Sequence, residues 1–334
     1  MLSIDVGSKK VCVIEGSCRS GVVTVSAWGE TEYASEIVVN GVISDRTSIT
    51  FLISEIIKKN KFKSKKAVIT ISNSDIISRE LKLPDMKLQN LTMLVKNEML
   101  RIIGADNSNY TVDFLINGTN PDKMLNIMAY AIPNDTVEGY YTLLKDLKLV
   151  PVALDIHPNS ISKLLSGTTI NNNDHSEENI IVADIGYSKI YFHGFVNGVY
   201  HFSRAEISPV PEFVREIFAI NRTEENTDSL KELDFSLDAI QQNTIIADTC
   251  RHFISRLSDE ILRYIQYVKI NTTSKSVSKI YITGGIVQAK NADAVLSNVL
   301  NMPVETLHTS GKVNIPETCS LAKTANAAGA LIRL

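Results

Sequence analysis

Two short stretches of the chain carry residue types that handle phosphate. Leu2-Ser3-Ile4-Asp5-Val6-Gly7-Ser8-Lys9-Lys10-Val11 aligns without gaps on Ile181-Val182-Ala183-Asp184-Ile185-Gly186-Tyr187-Ser188-Lys189-Ile190, an offset of 179 residues. In each copy an apolar strand ends in Asp-(Val/Ile)-Gly, and a short polar turn leads into a second strand. A turn that presents consecutive backbone N–H groups, with Gly at the point of close approach and Ser or Lys beside it, cradles a phosphate. Two such turns facing one another cradle a polyphosphate from both sides. Asp5, Gly7, Ser8, Lys9 and Lys10 are the candidates in the first turn, and Asp184, Gly186, Ser188 and Lys189 in the second. Direct contact of Asp5 or Asp184 with phosphate would be repulsive, so Mg²⁺ held through waters is the expected mediator. A third stretch, Lys279 to Thr283 running into Gly284-Gly285, would let a base or ribose lie flat on the backbone. Each of these alone is an ordinary turn; the repetition in order is what points to a nucleotide cleft.

The elements that must hold these turns follow from hydrophobic spacing. Residues 2-6, 11-15 and 22-28 read as strands, Ile49, Leu52, Ile53, Ile56 and Ile57 mark an amphipathic helix, and 67-71 returns to strand. The pattern then restarts: strand 76-83, helix 91-103, strands 110-116 and 125-132, helix 134-147, enough for a small inserted α+β subdomain. Strand 150-156 and helix 158-165 resume the first lobe, and the polar run Asn171 to Asn179 reads as a linker. Beyond the repeat come helices 209-220 and 238-270 joined by a charged stretch 223-234, a strand into Gly284-Gly285, a helix 289-300, a strand 303-307 and a closing small-residue helix 322-331. The expected α/β organisation is a first lobe of residues 1-74 and 149-170, an insertion of 75-148, a second-lobe base of 171-208 and 278-334, and a helical part of 209-277.

Composition excludes several functions. With 334 residues, 34 Lys+Arg against 37 Asp+Glu and 44% apolar residues, the chain is neither disordered nor basic enough to favour nucleic acid. Cys12, Cys18, Cys250 and Cys319 lack paired metal-ligand spacing and read as reduced thiols. No apolar run approaches a membrane span, so direct membrane insertion is not expected and membrane association would come through a partner. The sequence has no His-Glu-x-x-His zinc motif, no Gly-x-Ser-x-Gly elbow and no Walker loop. Tyr264 and Tyr267 lie among basic residues, but Asp248, Asp259 and Glu260 on the same helix argue for packing rather than nucleic-acid stacking.

The two hairpins and Ile280-Tyr281-Ile282-Thr283-Gly284-Gly285 resemble the phosphate-1, phosphate-2 and adenosine motifs of the actin/Hsp70/sugar-kinase superfold, a ribonuclease H-like two-lobed α/β fold. Within it the chain is similar to the PilM family of type IV pilus assembly, relatives of the cell-division protein FtsA. The likeness rests on Gly41-Val42-Ile43-Ser44-Asp45, Ser78-Arg79-Glu80-Leu81-Lys82-Leu83-Pro84, Ala131-Ile132-Pro133, Leu149 to Asp155 and Asp259-Glu260-Ile261-Leu262-Arg263, in that order along nearly the whole chain. The resemblance implies an actin-like fold with an FtsA-type inserted subdomain, ATP or ADP with Mg²⁺ in the cleft, and Glu260, Gly284 and Gly285 as further cofactor-binding positions. It also implies a cytoplasmic scaffold that binds the N-terminal cytoplasmic tail of a PilN-type bitopic inner-membrane protein, alongside other components of the pilus inner-membrane complex. The groove for that tail is expected near Ile76, Ile77, Ser78, Arg79 and Leu81, where an edge strand or apolar groove accepts an extended peptide.

The chain departs from the family at two places. Ile286 stands where a small residue follows Gly-Gly and is expected to crowd the nucleotide; Ser208-Pro209 replaces a Gly-Gly turn, and Pro removes a donor. Asp155 and His157 are the only acid-base candidates after the insertion, and such residues are ordinarily caps. No catalytic base is assigned, and weak or absent ATPase activity is expected. The alternatives are a small-molecule kinase of the same superfold, which requires a catalytic carboxylate near the phosphates, and an FtsA-like division protein, expected to carry an amphipathic membrane helix beyond the Ala-rich helix.

Overall fold

Strand alternation decides where the two aspartates point. The computed structural model describes every residue except 35, 105–108, 120–121, 222–229, 231–232, 243, 272–275 and 334. Strands β1 (Leu2–Val6), β2 (Lys10–Arg19) and β3 (Val22–Glu32) form an antiparallel meander with Asp5 opposite Cys12. A small hairpin, β4 (Val38–Val39) and β5 (Val42–Ile43), leads to Asp45, whose Oδ1 accepts from Ser48 N at 3.0 Å and caps α1 (Arg46–Lys59). Strand β6 (Lys66–Ile71) then runs parallel to β1.

The insertion comprises β7 (Ile77–Pro84), α2 (Leu88–Ile103), β8 (Tyr110–Thr119), β9 (Met124–Pro133) and α3 (Asn134–Asp146), its sheet ordered β7-β9-β8 so that β7 is an edge. Leu91, Val95 and Met99 of α2 close a small core over β9. Helix α3, expected to complete the insertion, instead buries Tyr140, Leu143 and Leu144 in the first-lobe core, and Tyr140 Oη donates to Gly41 O at 3.0 Å. Strand β10 (Val150–Ile156) pairs with β6 and runs into α4 (His157–Leu165).

The second lobe repeats this plan. It contains β11 (Asn179–Ile185), β12 (Lys189–Val196), β13 (Val199–Ile207), α5 (Val210–Asn221), α6 (Leu237–Ile240), α7 (Ile245–Asn271), β14 (Val277–Gly284), α8 (Ala292–Leu300) and β15 (Val304–Thr306). Its sheet, read β15-β14-β11-β12-β13, has the order and pairing senses of β10-β6-β1-β2-β3. The 179-residue offset is therefore a structural duplication. The last elements cross back: β16 (Val313–Asn314) pairs with β3 of the first sheet, and α9 (Leu321–Leu331) packs against β1, β2, β6 and β14.

The helix expected over 238-270 is two helices, α6 and α7, with the break after Ile240. Most of the charged stretch 223-234 lies outside the described residues. Tyr264 is buried, stacked on Phe192 at 4.3 Å between centroids, as its acidic neighbours implied. The polar run 171-179 is no slack linker: Asn171 Oδ1 accepts from His308 N at 2.8 Å and Thr309 N at 3.0 Å, and buried His175 meets Glu178 and Tyr281 at 2.8 Å each. Its composition suggested a loop because Asn and His satisfy backbone and hydroxyl groups that are distant in sequence.

Period-two alternation assigns the faces. Leu2, Ile4 and Val6 face the core under α1 and α3, so Ser3 and Asp5 face the opposite way. Ile181, Ala183 and Ile185 face α5, α7 and α8, so Ile180, Val182 and Asp184 also face inward. The layer between the sheets is α4 and α9, and both aspartates end there.

Candidate functional site

Both hairpin turns, the end of β14 and the first turns of α4 and α9 line one cavity of about 120 Å³. Asp5, Gly7, Ser8, Lys9 and Lys10 come from the first turn, Asp184, Gly186, Ser188 and Lys189 from the second, and Gly284 and Gly285 from the strand end. The turns are built alike, Gly7 N donating to Lys10 O and Gly186 N to Lys189 O, each at 3.0 Å. Gly284 has φ +97°, and a Cβ there would collide with Ile185 O; only glycine lets β14 end flush against β11.

Glu260 is not on this wall. It lies on the flank of α7, beside the core-facing Leu257 and Ile261, and its carboxylate pairs with Arg263 at 3.0 Å. Ile286 lines the cleft but does not fill it: a 3₁₀ turn, Gly285–Gln288, swings the side chain into the second-lobe core, leaving it 1% exposed. Ser208 Oγ donates to Gly186 O at 2.8 Å and accepts from Val210 N at 3.2 Å, so it ties the second turn to α5.

The spacing of candidates along the chain missed Asn326 of the inner helix α9 and offered His157 of α4 only as an acid-base candidate that is ordinarily a cap. His157, expected as a cap, reaches across the cleft floor, with Nε2 2.8 Å from Asp5 Oδ1 and Nδ1 3.7 Å from Asp184 Oδ2. Burial alone would lower its pKa, but the charges of Asp5, then Asp184 and Asp155, raise it above the ordinary imidazole value. Burial raises the Asp184 carboxyl above the usual carboxylate range, opposed by His157 and by Asn326, whose Nδ2 donates to Asp184 Oδ2 at 2.8 Å. The described charges of the cleft floor are thus two carboxylates bridged by an imidazole. Asp155 does not reach it; buried, it is held by Lys163 Nζ at 2.5 Å, Asn159 Nδ2 at 2.7 Å and Arg333 Nη1 at 3.3 Å.

A second charge cluster secures the first turn. Glu30 accepts from Lys10 Nζ at 2.8 Å and from Lys323 Nζ of α9 at 3.0 Å. Burial would raise the Glu30 carboxyl, but Lys10 and Lys323 hold it below the usual range. A depressed carboxylate pKa contributes stability above the unfolded value, near 4.3, that is lost as pH falls through the folded value. Glu30→Gln is expected to cost about 2 kcal/mol at neutral pH, with the difference from wild type shrinking as pH falls below about 4; urea titrations across pH check it.

Five residues were expected to form a partner groove. Ile76 and Ser78 line a second cavity of about 320 Å³ between the inserted sheet and β12–β13, with Tyr130, Tyr191, Tyr200 and Ser203. Ile77 and Leu81 pack on the insertion core instead, and exposed Arg79 donates to Ser78 O at 2.8 Å.

Among the described residues no helix is long and apolar enough to cross a membrane. No curated protein sequence matches the chain. The structure titled PilM-PilN type IV pilus biogenesis complex superimposes with a TM-score of 0.79 at 17% identity, over 99% of this chain and 97% of that one. The ethanolamine utilization protein EutJ from Carboxydothermus hydrogenoformans superimposes at 0.58 and 12% identity, over 99% and 89%. At these identities the likeness shows a common fold, the actin-like one that the repeated lobes imply. The sequence profile described as Type IV pilus assembly protein PilM matches residues 3–328, nearly every element traced above. The chain belongs to the PilM family of type IV pilus assembly proteins.

Proposed function

We propose that this chain is an actin-like scaffold of pilus assembly that holds ATP or ADP with Mg²⁺ between its lobes and docks the N-terminal cytoplasmic tail of a PilN-type inner-membrane protein. The observation that carries this reading is that two cavities lie back to back on the inner layer, one edged by both phosphate-type turns and one by the insertion, with Lys189 and Tyr191 lining both. The tail would place the protein at the inner membrane through its partner.

The residues fit a nucleotide with a hydrated cation. Gly7 and Gly186 leave the turns open where a Cβ would press on Lys10 O and Lys189 O at 3.1 and 2.9 Å. Asp5 and Asp184 converge at the floor, and Asn326 Oδ1 is buried there with no partner among the described residues. When bound, the cation would screen phosphate charge from the two carboxylates. A cleft of about 120 Å³ is smaller than the roughly 300–1,000 Å³ typical of ligand pockets, so the reading includes a widening of the lobes on binding. Hydrolysis is not part of the proposal, since Asp155 is occupied and His157 is engaged by Asp5.

The cavity beside β7 supports a peptide mode: among the described residues β7 is an edge strand, next to a recess holding Ile76, Met128 and Ile156. Fluorescence anisotropy with a labelled N-terminal segment of a PilN-type protein is expected to show saturable binding. Ala205→Trp, at the exposed rim of the cavity, is expected to weaken it at least about tenfold by filling the recess. Unchanged affinity would move the tail to another surface. Thermal denaturation with millimolar ATP-Mg²⁺ tests the other half, with no shift in melting temperature sinking the nucleotide reading.

A further inference from the structure

Helix α9 is made for close packing. Ala322, Ala325, Ala327, Ala328, Gly329 and Ala330 are all buried, and a Cβ on Gly329 would collide with Ser160 O of α4. In this small-residue helix Thr324 turns back on its own backbone, its Oγ1 donating to Ser320 O at 2.9 Å. Lys323 and Asn326, three residues apart and so on one face, are the polar side chains that enter the cleft. Lys323 is spent on Glu30. Asn326, 7% exposed, is not: Nδ2 donates to Asp184 Oδ2 at 2.8 Å, while Oδ1 has no partner among the described residues. A carboxylate only accepts, so the amide must turn its nitrogen to Asp184 and leave its oxygen free. A carbonyl buried without a partner loses its hydration and gains nothing in return. An alanine, like those on either side, would fill the position without that cost.

We propose that Asn326 is a positioning residue of the nucleotide site: it fixes the Asp184 carboxylate for the hydrated cation, and its free amide oxygen accepts a hydrogen bond from a water of that cation's shell. The inference rests on the nucleotide reading above. It explains why a carboxamide stands in a helix otherwise selected for smallness, and why the second lobe's aspartate is held from α9 as the first lobe's is held by His157 of α4. Since α9 also carries Lys323 to Glu30 and hence to Lys10, one helix face sets groups beside both phosphate-type turns.

Isothermal titration calorimetry with ATP, run with excess Mg²⁺ and again with EDTA, tests this. Asn326→Ala is expected to weaken binding about tenfold in Mg²⁺, with little change in EDTA, because only the cation-dependent part passes through Asp184. The double variant Asn326→Ala/Asp184→Ala is expected to bind no more weakly than Asp184→Ala alone. An Asn326→Ala variant that binds like wild type in Mg²⁺ overturns the inference. So does an equal loss with and without Mg²⁺, which is the mark of a merely structural role, or additive losses in the double variant. Should the alanine variant fail to fold, Asn326→Ser, smaller and polar, is read in the same two titrations after circular dichroism has verified its fold. Absence of ATP binding by the wild-type chain in both buffers overturns the nucleotide reading and this inference with it; wild-type binding with an unaffected variant overturns this inference alone.

Discussion

Gly329→Val is expected to destabilise the protein by about 3 kcal/mol or more, because the new side chain has no room against the Ser160 carbonyl and α9 cannot move aside without opening two sheets. The buried residues of α4, α9, β2, β3, β11, β12 and β14 form one continuous cluster between the lobes. A displaced α9 therefore loosens both halves, and a urea midpoint that falls at constant m-value is the measurement. The functional consequence is sharper than the thermodynamic one. Lys323 and Asn326 leave the cleft with the helix, so any variant that survives folding should also lose its nucleotide-dependent stabilisation. Wild-type stability in Gly329→Val would mean that α4 and α9 do not touch as described.

Asp184→Ala is expected to remove most of the stabilisation that ATP-Mg²⁺ confers, which for ligand at a hundredfold over its Kd amounts to about 2.7 kcal/mol, leaving weak binding that calorimetry at higher ligand still reads. The sign follows from the geometry. Asp184 is buried, faces the inner layer and is oriented by Asn326, so its removal takes away the second lobe's only described carboxylate at the cleft floor. Without nucleotide the variant should melt close to wild type, since His157 keeps Asp5 at 2.8 Å and one buried charge is gone. Asp5→Ala should likewise lose the ligand shift, but it frees His157 as well, and so is expected to destabilise the unliganded protein more. Melting curves of both variants with and without ATP-Mg²⁺ separate these effects. A full ligand shift retained in Asp184→Ala would remove the second turn from the site.

Much of this architecture is readable along the chain, and the reasons are local. The repeat Leu2 to Val11 and Ile181 to Ile190 carries its own strand pattern and turn glycines, and strand alternation alone predicts that Asp5 and Asp184 share a face with Ser3 and Val182. Gly284 could be placed as a close-approach position because only glycine tolerates that backbone. Boundaries were less legible where tertiary contacts override local pattern. Helix α3 looked like part of the insertion but packs on the first lobe, and the polar run 171-179 looked loose but is pinned by Asn171 and His175. Glu260 was placed by motif order alone, and the helix turns it to Arg263.

Sequence by itself determined the duplicated lobes, the paired turns and the family, since each is a matter of near neighbours in a strand, turn or helix. Only the tertiary structure decided what completes the cleft. His157 and Asn326 stand 169 residues apart in helices with no motif in common; the strand-to-helix junction after the insertion marks His157 only as an acid-base candidate or cap, and nothing in its immediate neighbours marks Asn326. They meet Asp5 and Asp184 because two sheets, each apolar on its outer face, leave room between them only for helices small enough to bring a side chain from each to the same two carboxylates.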